Sequence, residues 1–319
     1  MNSQVRAFIE MLKANTPADE PKMWQLTPPQ AREQSARFFA PFNEGGPQVA
    51  EVRDLHIPGR RGDIPARLYV PRGAAARSPG MLYLHGGGYV VGSPATHDRL
   101  TRELADRLAA HVLSLDYALA PEHPYPQGLD DCVDAARWIR AHAEELGLDP
   151  SRLLIGGDSA GANLSAATLL RLRDGGSPPL FSAAILLYGR YASGITDSLR
   201  AWGERELILS VSLLKWFGKV YTGADGALPP DPYLAPAEAD LRGLPPALLV
   251  AGTLDPLLSD SQLFAAALQK AGAGAELLVY EDGIHAFLQF PMLDMTRDAL
   301  EKIAAFGRRH LDGRAPETP

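Results

Sequence analysis

The chain has 319 residues, enough for one large α/β domain with an insert or for two small domains. Hydrophobic residues make up 46% and charged residues 22%, an ordinary globular mix that excludes fibrous and disordered classes. With 31 basic against 38 acidic side chains the net charge is −7, and no basic run occurs, so neither nucleic acid nor an anionic membrane surface is expected as a partner.

Residues 1–45 carry a helical pattern (Val5, Phe8, Ile9, Leu12) and then a Pro-containing stretch, yet feed no strand. The N-terminal residues lack a charged segment followed by an apolar one, and no apolar run is long enough to span a bilayer. A cytoplasmic protein with no integral membrane segment is therefore expected. Residues 48–57 and 63–70 read as an antiparallel hairpin that opens a sheet. From about residue 80, short runs rich in Leu, Val and Ile at 81–84, 111–115, 153–155, 183–187, 247–250 and 277–280 have the look of buried strands. Amphipathic stretches lie between several of them. Leu100, Leu104 and Leu108 share one helical face, as do Leu129, Val133, Ala136 and Ile139. Leu300, Ile303 and Ala304 repeat the pattern near the end, with Thr296 as the expected N-cap. The single cysteine, Cys132, falls in the helical stretch 127–146, where a buried thiol is expected; no intramolecular disulfide can form.

Strands alternating with helices predict an α/β fold with a mostly parallel central sheet covered on both faces. Residues 190–225 break the rhythm, with Trp202, Trp216 and Tyr221 at helical spacing and no strand. With residues 1–45 they read as a helical cap over one end of the sheet, or else as peripheral packing helices with no substrate role. The expected division is then 1–45 cap, 46–189 core, 190–225 cap and 226–319 core, with an unordered tail after about residue 312.

Gly157-Asp158-Ser159-Ala160-Gly161 follows an apolar strand and precedes a helix-forming run. A sharp strand-to-helix turn of this kind exposes Ser159 at the carboxyl end of the sheet, beside a helix N-terminus that favours negative charge. His85-Gly86-Gly87-Gly88 follows the strand at 81–84. Its glycines cost backbone entropy but let main-chain N–H groups face a cavity, as acyl transfer requires for a developing oxyanion. Gly87 and Gly88, with Ala160, are the expected donors, and His85 reads as a loop-stabilising residue. A phosphate-cradling loop fits poorly, because neither G-x-G-x-x-G nor a P-loop lysine is present.

A serine nucleophile needs a base and a group that orients the base. His285 alone among the eight histidines lies in a Gly-bearing loop directly after a late strand. Asp255 holds the matching place after the preceding strand, and Pro256 favours extended backbone for it. Asp260 is expected in the following helix and Asp282 in a turn. His97, His111, His123, His142 and His310 show no metal-ligand spacing and read as surface or satisfied core histidines, so no metal and no cofactor are expected.

The set His85–Gly88, Asp116-Tyr-Ala-Leu-Ala-Pro-Glu-His-Pro-Tyr-Pro126, Gly157–Gly161, Asp255-Pro256 and Gly283-Ile-His285-Ala-Phe287 resembles the bacterial hormone-sensitive-lipase-like esterases over residues 50–311. The resemblance implies an α/β-hydrolase fold with a helical cap. It also implies a carboxylesterase that hydrolyses short- to medium-chain acyl esters through Ser159, His285 and Asp255, and a loop-ordering role for Glu122. Candidate pocket residues are Tyr89, Asp158, Tyr188, Arg190, Trp202, Trp216 and Phe287. Three positions depart from the family pattern: Ala118 stands for an arginine, Ala162 for a glycine, and Gly189 follows Tyr188 where proline is common. Arg190 beside it has two readings, a surface ion pair or a pocket cation that favours an acidic or polar acyl group. Two alternatives stay open: the same site acting on amides or formamides, and a non-catalytic ligand receptor. The strand at 277–280, if it is a sheet edge, would let two copies pair as a homodimer.

Overall fold

The computed structural model describes residues 1–205, 207–224 and 231–312. Among these, eight strands form one sheet: β1 Glu51–Gly59, β2 Gly62–Val70, β3 Ser78–Leu84, β4 His111–Leu115, β5 Leu148–Asp158, β6 Ala183–Leu187, β7 Ala247–Gly252 and β8 Ala275–Tyr280. Their order is β1-β2-β4-β3-β5-β6-β7-β8, with β2 antiparallel to both of its neighbours, β1 and β4, and the six strands from β4 to β8 in that order parallel. The expected hairpin and mixed α/β pattern are both present.

The helices are α1 Ser3–Asn15, α2 Pro28–Phe39, α3 Asp98–Leu108, α4 Gln127–Ala141, α5 Ala160–Asp174, α6 Asp197–Trp202, α7 Val211–Thr222, α8 Leu258–Lys270 and α9 Asp294–Leu311. Successive strand residues point to opposite faces, and both faces are dry. Leu82, Leu113, Ile155, Leu186 and Leu249 join residues of α4, α5 and α8 in one cluster. Met81, Val112, Leu154, Ile185 and Leu248 join residues of α3 and α9 in the other. Cys132 is buried on the first of these faces.

Thr296 does not cap α9. The helix starts two residues earlier, with Asp294 in its first turn, and the Thr296 hydroxyl instead donates to the carbonyls of Phe287 and Phe290 at 2.7 and 3.0 Å. Turned back toward these carbonyls, the Thr296 side chain is not available to the helix N-terminus.

The first 45 residues divide between two neighbourhoods. Val5, Phe8 and Ile9 of α1 pack into the α3–α9 cluster, where the Phe8 and Phe290 rings lie 4.5 Å apart. Ala31 of α2, with Met23, Trp24 and Leu26, packs into a third cluster with Leu209 and with Leu213, Phe217 and Tyr221 of α7. That cluster also contains Val90 and Val91, so it rests on the loop after β3. The tail expected to be unordered falls on residues 313–319, outside the described residues. Among the described residues no helix is long and apolar enough to cross a membrane.

Candidate active site

Ser159 sits where β5 meets α5, with φ 53° and ψ −115°. A side chain rarely adopts such angles, and here the turn is held by the Ser159 N–H donating to Leu187 O on β6 at 2.8 Å. Glycine is required two residues later for a different reason. A Cβ on Gly161 would collide with the Leu84 carbonyl, so only a bare backbone lets α5 start this close to β3.

His285 and Asp255 arrive on neighbouring loops after β8 and β7. The loops are cross-tied: Thr253 N–H donates to Tyr280 O at 2.9 Å, Leu254 N–H to Gly283 O at 2.9 Å, and Asp282 N–H to Thr253 Oγ1 at 2.8 Å. His285 Nδ1 lies 2.9 Å from Asp255 Oδ2, and His285 Nε2 lies 2.9 Å from Ser159 Oγ. Asp255 is fully buried, and its other oxygen accepts the Leu257 N–H at 2.8 Å. A carboxylate can only accept here, so Nδ1 carries a proton and Nε2 is left to take the Ser159 hydroxyl hydrogen. The Tyr188 ring meets the imidazole edge to face at 5.1 Å. Asp260 lies in α8 and accepts the N–H groups of Tyr191 and Ala192, each at 2.9 Å. Asp282 lies in a turn, as expected.

The loop after β3 carries Gly87 at φ 118° and Gly88 at φ 58°. Their N–H groups have no acceptor among the described residues, and Ala160 is the first residue of α5, where the N–H is an orphan by geometry. A Cβ on Gly88 would run into the Phe217 ring of α7. Its neighbour Tyr89 stacks on Tyr221 of the same helix at 3.9 Å. The His85 ring stacks on Tyr117 at 4.3 Å, and burial, followed by repulsion from His97, pulls its pKa down to about 3. His85 is therefore a neutral wall of the loop, as its neighbours in the sequence implied.

The pocket candidates separate. Tyr89, Arg190 and Trp216 are half-buried around the loop and the third cluster. Trp202 packs against the cluster containing Leu254, Ala286 and Leu288, and the Arg205 guanidinium lies 4.9 Å from its ring centre. Asp158 and Phe287 do not line a pocket. Phe287 is fully buried between Tyr188 and Tyr280, and Asp158, 2% exposed, points behind the loop. Alternation along β5 turns residue 158 away from the opening that Ser159 faces. Tyr188 is likewise fully buried, a support for the imidazole rather than a wall of an opening. Arg190 makes no contact ion pair among the described residues, although its charge acts on the buried Asp260 carboxyl; its carbonyl accepts from Asn163 Nδ2 at 2.8 Å.

Sequence reasoning missed Phe217 and Arg32. Leu213, Phe217 and Tyr221 follow i, i+4 spacing, which marks the face of α7 that turns inward, whereas attention to the largest aromatics favours Trp216. Arg32 of α2 donates to Val90 O at 2.9 Å, to Ala120 O at 3.0 Å and to both oxygens of Glu122, at 2.9 and 2.5 Å. Glu122 thus does join the loops beside the site, and no local pattern points to its partner 90 residues away.

Comparison with known proteins agrees with this fold. A family profile described as alpha/beta hydrolase fold matches residues 81–289. The chain is 40% identical over 253 residues to the carboxylic ester hydrolase LipN of Mycobacterium tuberculosis, covering 76% of this chain and 66% of that protein. It is 40% identical over 240 residues to the carboxylesterase NlhH of the same species, covering 72% and 73%. The ester hydrolase EH1AB1 from the Lake Arreo metagenome, solved with a bipyridine phosphonate derivative, superposes with a TM-score of 0.93 at 33% identity over 98% of this chain and 99% of that one. The chain belongs to this α/β-hydrolase family. Within it the place is among the hormone-sensitive-lipase-like esterases, and the protein is an enzyme.

Proposed function

We propose that the protein is a serine carboxylesterase for short- to medium-chain acyl esters, with Ser159 as nucleophile, His285 as base and Asp255 as the group that orients it. One observation carries the reading: the unbroken hydrogen-bonded line from Asp255 through His285 to Ser159, with 2.9 Å at each step. His285 takes the Ser159 proton as Oγ attacks the ester carbonyl. Asp255 holds the ring and stabilises the imidazolium that forms. The N–H groups of Gly87, Gly88 and Ala160 receive the oxyanion. His285 then protonates the departing alcohol, and water activated by the same ring releases the acid from Ser159. Helix α7, and α2 behind it, act as a cap that bounds the acyl side of the cleft through Phe217, Trp216 and Tyr89.

The test is hydrolysis of p-nitrophenyl esters from acetate to palmitate by the protein and by Ser159→Ala. Turnover is expected to favour short chains and to fall on the order of 10⁴-fold or more in the variant. Matched amides address the alternative bond. No Ser159-dependent turnover on any ester or amide would leave only the ligand-receptor reading.

A further inference from the structure

Asp158 is a buried carboxylate one residue before the nucleophile, and the reaction outlined above does not use it. Three segments converge on it. The Tyr83 hydroxyl of β3 donates to it at 2.7 Å, the Gly86 N–H at 2.9 Å, and His97 Nε2 lies 3.3 Å away. Gly86 leads directly into Gly87 and Gly88, so its bond to Asp158 anchors the start of the loop that carries the donors. A Cβ on Gly86 would strike the Asp158 carboxyl, which leaves the loop no room to settle deeper.

His97 is itself held from its other side. Its Nδ1 faces Thr96 Oγ1 at 2.9 Å and Ser93 O at 3.3 Å, while the Thr96 hydroxyl gives its own hydrogen to Ser93 O. Both ring nitrogens face acceptors in this arrangement, and a ring that donates from both is an imidazolium. The groups around the pair add no further charge. Tyr83, Tyr117 and Tyr188 are neutral phenols, held well above their usual range by burial first and then by the Asp158 charge among other neighbours, and His85 is neutral. Burial pushes the Asp158 carboxyl up, but the His97 charge and the bonds from His97, Tyr83 and Gly86 hold it below the ordinary carboxylate range.

We propose that Asp158 and His97 are positioning residues for the oxyanion loop, the carboxylate anchoring Gly86 and the imidazolium cancelling a buried negative charge that would oppose the oxyanion. The reason is electrostatic. A carboxylate taken out of water close to a site of developing negative charge acts through little dielectric screening, and it is harmless only when neutralised in place. This rests on the reading of Gly87 and Gly88 as oxyanion donors.

The experiment measures kcat and KM for p-nitrophenyl butyrate between about pH 5.5 and 9.5, with thermal melting of each variant alongside. Wild-type kcat rises with pH and levels off, as a histidine base requires. His97→Gln is expected to lower kcat roughly tenfold or more at alkaline pH with KM within about twofold, and to add a falling limb. The sign follows from Asp158: without its cation, burial raises the carboxyl, which is neutral below its new pKa and opposes the oxyanion above it. The double variant His97→Gln with Asp158→Asn has no charge to unmask, and the falling limb disappears. Asp158→Asn keeps an acceptor for Gly86 and holds kcat within about fivefold, whereas Asp158→Ala loses about 100-fold.

A His97→Gln profile of wild-type shape with kcat within about twofold, or equal losses in Asp158→Ala and Asp158→Asn, overturns the proposal. Should His97→Gln fail to melt cooperatively, the two Asp158 variants decide it. Wild-type turnover that survives Ser159→Ala overturns the esterase reading instead, and this inference with it.

Discussion

Two regions meet at the loop of Gly87 and Gly88, and they are built from opposite materials. Behind the loop lies a polar layer in which Asp158, His97, Tyr83 and Tyr117 bond to the backbone or to one another. In front of it lies an apolar layer, with Phe217 against Gly88 and Tyr221 against Tyr89, joined to the core by the forked contacts of Arg32. Hydrogen bonds are directional and set atoms to within tenths of an ångström, which donors aimed at an oxyanion need. Apolar contacts fix shape and volume but not direction, which suits a wall against which acyl chains of different length are measured. Under the proposed function, chemistry falls to one layer and selection to the other, and a variant in one should leave the other's property intact.

The largest effect should come from the line of Asp255, His285 and Ser159, which belongs to neither layer. Asp255→Asn leaves the shape of the site but permits the wrong imidazole tautomer, and kcat is expected to fall on the order of 10⁴-fold with KM little changed. Steady-state kinetics on a short ester check this; a fall below about tenfold would mean that Asp255 is not the orienting group.

Next comes the apolar side. Phe217→Ala removes a ring from the wall beside Gly88 and should raise the ratio of kcat/KM for octanoate over acetate roughly tenfold, with turnover of a good substrate preserved. An unchanged ratio accompanied by a general loss of kcat would erase the contrast between the two layers.

The smallest effect belongs to the tie between them. Arg32 and Glu122 are 30% and 48% exposed, so solvent and salt screen the pair. Arg32→Ala is expected to cost roughly two- to fivefold in kcat/KM, and Arg32→Lys should not restore it, because an ammonium cannot fork across Val90 O, Ala120 O and Glu122.

Much of this was legible along the chain because it is written locally. The strand-to-helix turn at Ser159 needs small neighbours next to it, the loop at Gly87 needs residues without side chains, and Asp255 and His285 each follow an apolar run by a few residues. Asp158 and Phe287 were misplaced because they adjoin residues of the site in sequence, while strand alternation and burial carry their side chains away from it. Thr296 was misread because a hydroxyl near a helix start serves whichever carbonyl lies within reach.

The sequence alone determined the esterase family, the chain order of the proposed triad residues Ser159, Asp255 and His285, and the alternation of strands and helices, since each depends on residue type and short-range spacing. Tertiary structure decided which groups stand behind the oxyanion loop and which in front. Asp158 meets His97 from 61 residues away, Arg32 meets Glu122 from 90, and Phe217 meets Gly88 across the top of the sheet. Such pairings follow from how the layers pack, and packing is a property of the whole folded chain that no local pattern of residues encodes.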